Sequence, residues 1–186
     1  MLDFVKEILF TEEDVEKRIP EVREDIINYY KDIKKSVKIF SVLKGGRYFS
    51  NLLFSDVDNG KFKIGYISAS SYFRNKKLPD NKIRIDLMGS GTKSLWGHEI
   101  LFIDDIYDTG NTLNQINGEF RQRGAIVNNV VLVKRTGHHD FEVPILSHGF
   151  EVTSKDYLVG CGLDYDGRYR KLPYIASVKD GLETGA

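Results

Sequence analysis

Apolar residues fall in short runs along this chain, each closed by a glycine or a polar turn, with stretches of helical period between them. Ile100 to Ile103 is wholly apolar, and Val37 to Leu43 and Val127 to Lys134 are rich in β-branched residues, as strands buried in a parallel sheet require. Lys61 to Tyr72 alternates as one long strand, Lys82 to Met88 reads as another, and Gly97 to Asp105 is the central one. Gly45-Gly46 marks a turn before a helix over Arg47 to Phe54, and Gly124 closes a helix over Asn111 to Phe120. Thr11 followed by Glu12, Glu13 and Asp14 is a helix start with acids in its first turn. Pro20 is expected to break or restart that helix before Glu21 to Lys34. Phe73 to Lys82 is polar, carries Pro79 and predicts a loop able to serve as a lid. Tyr157 to Cys161 reads as a further strand, followed by loops, in a smaller appended region.

Strands alternating with helices predict an α/β fold with a mainly parallel central sheet flanked by helices. Ligand sites in such sheets lie beyond the carboxyl ends of the strands. No Pro- or Ser-rich linker divides the 186 residues, so residues 1–186 are expected to form a single domain.

The densest chemistry follows the wholly apolar run. Ile103-Asp104-Asp105-Ile106-Tyr107-Asp108-Thr109-Gly110-Asn111-Thr112 puts three carboxylates and a phosphate cradle into one strand-to-helix turn. A helix beginning near Thr109 leaves its first backbone N–H groups unpaired, and Gly110 lets a phosphate approach that backbone. The hydroxyls of Thr109 and Thr112 add donors. Asp104 and Asp105 would repel a phosphate in the same cradle, so they are expected to accept hydrogen bonds from neutral hydroxyls or to hold a divalent cation. A ribose 5-phosphate offers both ends. Lys44-Gly45-Gly46, directly after a strand, sets exposed backbone N–H groups beside a cation, which suits a pyrophosphate.

Charge narrows the partners. Twenty-seven basic residues balance 27 acidic ones, so no global field draws the chain to nucleic acid or to a membrane. One cysteine, Cys161, excludes an internal disulfide, and the first residues lack the apolar stretch of a signal peptide. A cytoplasmic location is expected.

Other uses of these motifs fit less well. Aspartic proteases need two Asp-Thr-Gly loops in an all-β fold, and receiver domains carry their paired aspartates near the N-terminus. An acidic helix N-terminus held by its dipole accounts for one or two acids. It does not account for three acids, two threonines and a glycine together. Gly89 to Ser94 has Thr92 between the glycine and the lysine of a P-loop, and no Gly-x-Gly-x-x-Gly is present. His138 and His139 lack zinc-ligand spacing with the sole cysteine.

The central motif closely resembles the phosphoribosyl-pyrophosphate (PRPP) signature of type I phosphoribosyltransferases. Four other segments resemble the hypoxanthine-guanine branch in the expected order: Val42 to Gly46, Ser70-Ser71-Tyr72, Leu132 to Arg135, and Val159 to Tyr165 followed by Arg170. The resemblance spans nearly the whole chain. It implies the type I phosphoribosyltransferase fold, with a small hood built from the N-terminal and C-terminal segments. The implied activity is purine salvage: hypoxanthine or guanine is joined to PRPP, pyrophosphate leaves, and IMP or GMP forms. Mg²⁺ is the implied cofactor, and a homodimer or homotetramer the implied assembly.

The resemblance also assigns residues. Asp108 is the catalytic base facing purine N7. Lys44, Gly45, Asp104, Asp105, Asp108, Thr109, Gly110, Asn111, Thr112 and Arg170 bind PRPP and its phosphates, with a strained peptide bond before Lys44. Lys134 donates to the purine 6-oxo group, Tyr157 stacks on the base, and Leu158 offers backbone groups to its edge. Asp164 lies on the purine side and, with Asp104 and Asp105, is linked to the metal. Ser71 and Tyr72 head the lid. Two positions depart from the family pattern: Phe73 stands where Gly usually follows the lid tyrosine, and Tyr157 stands where Phe is usual. Two rival functions are a noncatalytic nucleotide- and RNA-binding regulator on the same fold, which needs a basic surface, and a receiver-type switch phosphorylated on an aspartate.

Overall fold

Strand β7 (Glu99–Tyr107) lies near the middle of a six-stranded sheet, and its period of two sends successive side chains to opposite faces. The other strands are β2 (Val37–Leu43), β3 (Phe62–Ser70), β6 (Arg84–Met88), β8 (Ile126–Arg135) and β9 (Ile145–Val152). Their order is β6-β3-β2-β7-β8-β9, all parallel except the edge strand β6, which runs antiparallel to β3. The computed structural model describes residues 4–55, 60–70, 72–73, 76–77, 84–88, 95–137 and 139–179.

Helices cover both faces. On one, α1 (Glu12–Tyr30) and α2 (Gly46–Phe54) bury Val15, Ile19, Val22, Ile26, Phe49 and Leu53 against Ile39, Leu101, Ile103 and Leu132. On the other, α3 (Asn111–Gln122) sets Leu113, Ile116 and Phe120 against Ile100, Phe102, Val127 and Val131. The rings of Phe102 and Phe120 meet edge to face at 4.9 Å. β1 (Val5–Phe10), β11 (Ile175–Val178) and β10 (Leu158–Val159) form a separate antiparallel sheet, so both ends of the chain contribute to one hood.

Four elements differ from the sequence-based expectation. Helix α1 runs unbroken through Pro20, because the proline ring sits on the exposed face while Ile19 and Val22 are held in the core. Arg18 anchors the same turn, donating to the carbonyls of Gly149 (2.9 Å) and His148 (2.8 Å). Within the expected loop after Tyr72, Tyr72–Phe73 (β4) pairs antiparallel with Lys76–Lys77 (β5), a ladder too short to leave a periodic signal. β9 went unpredicted because Ser147, His148 and Gly149 interrupt its apolar pattern. The strand expected over Tyr157 to Cys161 shrinks to Leu158–Val159, since positive φ angles at Gly160, Cys161 and Gly162 turn the chain away. Ser71, Gly89 to Ser94 and His138 lie outside the described residues.

A proline inside a helix lacks the N–H that bonds to the carbonyl four residues back, and costs about 3 kcal/mol relative to alanine. Pro20→Ala relieves that cost and loses about 0.4–1 kcal/mol of unfolded-state restriction. The variant is expected to be more stable by about 1–3 kcal/mol in urea denaturation, the lower figures applying if neighbouring groups already satisfy the carbonyl. A less stable variant would show that the ring itself contributes to the fold.

Candidate active site

The paired acids sit inside the sheet, in the central strand expected over Gly97 to Asp105, which runs on two residues further than expected. β7 continues through them to Tyr107, with Asp104 opposite Val131 and Tyr107 opposite Lys134 of β8. Asp104 is buried, and the Asp105 backbone N–H donates to Asp104 Oδ1 at 3.0 Å. Burial pushes the Asp104 carboxyl well above the usual carboxylate range, and the neighbouring Asp105 charge adds to the shift. Burial also raises Asp105, while its hydrogen bond to Asp104 and the positive charge of Arg170 pull it back.

The turn after β2 closes over this pair. Its Leu43–Lys44 peptide bond is cis. A Cβ at Gly45 would stand 1.7 Å from Asp105 Oδ2, so only glycine lets the backbone lie against that carboxylate. Arg170 completes the wall, pairing with Asp164 at 2.6 Å and donating to the Gly162 carbonyl at 2.7 Å.

Beyond Tyr107 the chain makes the cradle. Gly110 takes a left-handed conformation (φ 83°) and begins α3 without a side-chain cap, and the first turn of that helix holds no acid. The first N–H groups are thus left to a ligand, the arrangement that binds anions. The Asn111 N–H is only loosely engaged, 3.4 Å from the Thr109 hydroxyl. A segment that sequence reasoning missed supports the cradle from behind. The backbone N–H groups of Asp140 and Phe141 donate to the Thr109 carbonyl at 2.9 and 3.1 Å. The Tyr107 hydroxyl donates to the Phe141 carbonyl at 2.8 Å, and the Tyr107 and His139 rings stack at 4.0 Å. No periodicity marks residues 139–141, and only the packing identifies them.

These pieces line one cavity of about 280 Å³. Lys44, Gly45, Asp104, Asp105, Asp108, Thr109, Gly110, Asn111, Thr112, Asp164 and Arg170 all border it. Of the residues expected on the purine side, Asp164 borders it, whereas Lys134, Tyr157 and Leu158 do not. Lys134 borders an adjoining cavity of about 440 Å³ together with Tyr107, His139 and Glu142. Its ammonium donates to Glu151 Oε1 at 2.9 Å, across the strand pair where the register sets the two residues opposite each other. Tyr157 is 67% exposed and meets Tyr165 edge-on at 5.3 Å, and Leu158 is buried in the hood. Tyr72 lies in the β4–β5 ladder.

The three acids linked to a metal are also not drawn into a single ligand set. Among the described residues no group of three or more His, Cys, Asp or Glu side chains has metal-holding geometry, and Asp164 is engaged by Arg170 and by the Gly167 N–H at 2.6 Å. The adjacent pair Asp104 and Asp105 remains. Two adjacent carboxylates, one buried and one half-buried, with raised affinity for protons suit a cation that takes its other ligands from water and from substrate phosphates.

The chain is similar to known proteins over most of its length. The phosphoribosyl transferase domain family matches residues 8–166. The chain is 30% identical over 186 residues to hypoxanthine-guanine-xanthine phosphoribosyltransferase of Tritrichomonas foetus, covering 99% of this chain and 97% of that protein. It is 32% identical over 181 residues to hypoxanthine-guanine phosphoribosyltransferase of Bacillus subtilis, covering 96% of each. A structure of Trypanosoma cruzi hypoxanthine phosphoribosyltransferase, a variant complexed with its product IMP, superposes with a TM-score of 0.79 at 28% identity, covering 96% of this chain and 93% of that one.

The raised Asp104 pKa carries a stability consequence of defined sign. The folded protein keeps a proton that the unfolded chain releases near pH 3.9, so stability falls as pH rises from that value through the folded pKa. Asp104→Asn removes the penalty and keeps an oxygen for the Asp105 N–H. In metal-free urea titrations from about pH 4 to about pH 8, the variant should gain on the parent as pH rises. Parallel curves would show that Asp104 titrates normally.

Proposed function

The chain belongs to the phosphoribosyl transferase domain family, and we propose that it is a hypoxanthine-guanine phosphoribosyltransferase of purine salvage. It transfers the 5-phosphoribosyl group of PRPP to N9 of a 6-oxopurine, giving IMP or GMP and pyrophosphate. The observation that supports this most directly is the single cavity shared by the Lys44-Gly45 turn, the acid pair, Asp108 and the uncapped start of α3. A ribose 5-phosphate bearing a pyrophosphate presents complementary groups to each.

In this mechanism the first-turn N–H groups of α3 and the hydroxyls of Thr109 and Thr112 hold the 5-phosphate. Asp104 and Asp105 accept hydrogen bonds from the ribose 2- and 3-hydroxyls. Lys44, Gly45 and Arg170 hold the departing pyrophosphate, whose charge grows as the glycosidic bond lengthens and the sugar takes on oxocarbenium character. Asp108 faces N7 of the base and accepts or stabilises the proton there. Bound at Asp104 and Asp105, with Asp164 close to the pyrophosphate, Mg²⁺ would neutralise phosphate charge. Lys134 leaves Glu151 to donate to the 6-oxo group, Tyr157 stacks on the ring, and Leu158 meets its edge through the backbone. Asp164 serves the purine side as well. The segment headed by Ser71 and Tyr72 closes over the site and excludes water from the reactive sugar. One domain over residues 1–186, a cytoplasmic location, assembly as a homodimer or homotetramer and no nucleic-acid or membrane partner complete the proposal. No described helix is long and apolar enough to cross a membrane.

The deciding experiment is pyrophosphate release from PRPP with Mg²⁺ and a panel of free bases. Turnover is expected with hypoxanthine and guanine, and RNA binding without turnover on any base would favour a regulator on the same fold. Chelation with excess EDTA should abolish turnover, and full activity in the chelator would remove the metal from the mechanism.

Base choice rests on Lys134, whose ammonium has donors only and so leaves the 6-amino group of adenine without a partner. An unpaired polar group in a dry pocket costs about 1–3 kcal/mol, so adenine should fall about 10- to 100-fold below hypoxanthine in kcat/KM. Lys134→Ala should narrow the gap by harming the 6-oxopurines. Equal kcat/KM for adenine and hypoxanthine in the parent would exclude this role.

A further inference from the structure

Arg135, the last residue of β8, looks in sequence like a charge at a strand end. In the fold it is 6% exposed. A buried guanidinium is tolerated only where acceptors and a counter-charge surround it. Its Nη1 donates to the Ser154 carbonyl in a short contact and its Nη2 to the Asp156 carbonyl at 3.0 Å. Both acceptors lie in the loop between β9 and β10, immediately before Tyr157 and Leu158. Asp156 is itself tied to the hood, receiving the Lys6 ammonium of β1 at 2.8 Å.

The guanidinium also reaches Asp108, which borders the cavity. Arg135 Nε stands 3.0 Å from Asp108 Oδ1, close enough for an ion pair, yet it is buried and its N–H is not aimed at any acceptor. The Asp108 side chain is about half exposed, at 49%. One side of that carboxylate therefore rests on a fixed, buried cation, and the rest of it opens toward the site.

We infer that Arg135 is the positioning residue for Asp108. It holds Oδ1 so that the second carboxylate oxygen is presented to the base, and it links that setting to the 154–156 loop that carries the purine-stacking tyrosine. A base seated on Tyr157 fixes the loop, the loop carbonyls fix the guanidinium, and the guanidinium fixes the carboxylate. This role rests on Asp108 acting at purine N7 as proposed above. Phosphate binding is no part of it, since neither Arg135 nor the 154–156 loop borders the phosphate-side cavity.

A double-mutant cycle in the full-length enzyme with Mg²⁺, PRPP and hypoxanthine tests this, read as separate kcat and KM values. Asp108→Asn should lower kcat by roughly 100-fold or more. Arg135→Met should lower kcat by roughly 10-fold or more while KM for PRPP stays within about twofold, the pattern of a group that acts on the chemical step. In the Asp108→Asn background the Arg135→Met effect should shrink to about threefold or less, because the group it positions is gone. Arg135→Lys keeps the charge without the fork and should recover part of kcat. If Arg135→Met is recovered unfolded, the same cycle is run with Arg135→Lys. An unchanged kcat in the Asp108→Asn variant overturns the assignment of Asp108 itself. A slow Asp108→Asn enzyme whose loss simply multiplies with that of the Arg135 variant, or an Arg135 variant altered only in melting temperature or in KM for PRPP, overturns the positioning role alone.

Discussion

Two carboxylates adjacent in sequence, Asp104 buried and Asp105 half-buried, lie near the end of a central strand, and the surrounding site is organised around that electrostatic cost. Desolvation raises the proton affinity of Asp104 and Asp105, and their proximity makes joint ionisation harder still. The fold answers with backbone and one cation rather than with acidic or bulky side chains. Gly45 brings an amide turn against Asp105 where a Cβ would collide, and the charge of Arg170 reaches the same carboxylate. Sites that hold strain or uncompensated charge are commonly less stable than they could be, because the function draws on what remains unsatisfied.

The same economy appears at α3. A twelve-residue helix with neither a side-chain cap nor an acid in its first turn leaves its positive end open. The cost is contained because the preceding loop is held from behind. Asp140 and Phe141 engage the Thr109 carbonyl, and Tyr107 engages Phe141. Gly110 fits only as glycine, both for its positive φ and because a Cβ would stand 2.2 Å from the Phe141 carbonyl. These contacts fix the path of the turn from behind.

The two ends of the site are supported differently. The phosphate side is built on the ends of β2 and β7 and the start of α3, all anchored in the main core. The purine side depends on the hood and on the 154–156 loop, with Arg135 bridging from β8. Lys134 waits in an ion pair with Glu151, and Tyr157 stands largely exposed.

The sequence by itself determined the local chemistry. The apolar run Ile100 to Ile103, the acids after it, Gly110 and the helix beyond were legible because strand burial, turn geometry and helix initiation act over a few neighbouring residues. The alternating strands and helices likewise predicted the parallel sheet, and the quoted motifs pointed to the family. Only the tertiary structure decided that the central strand continues past Asp105 to Tyr107, that Pro20 is carried through its helix, and that Asp164 pairs with Arg170. It also brought residues 139–141 behind the cradle and Arg135 beside Asp108. Those outcomes depend on contacts between residues far apart in the chain, where burial and register override local preference, and no window of neighbouring residues carries that information.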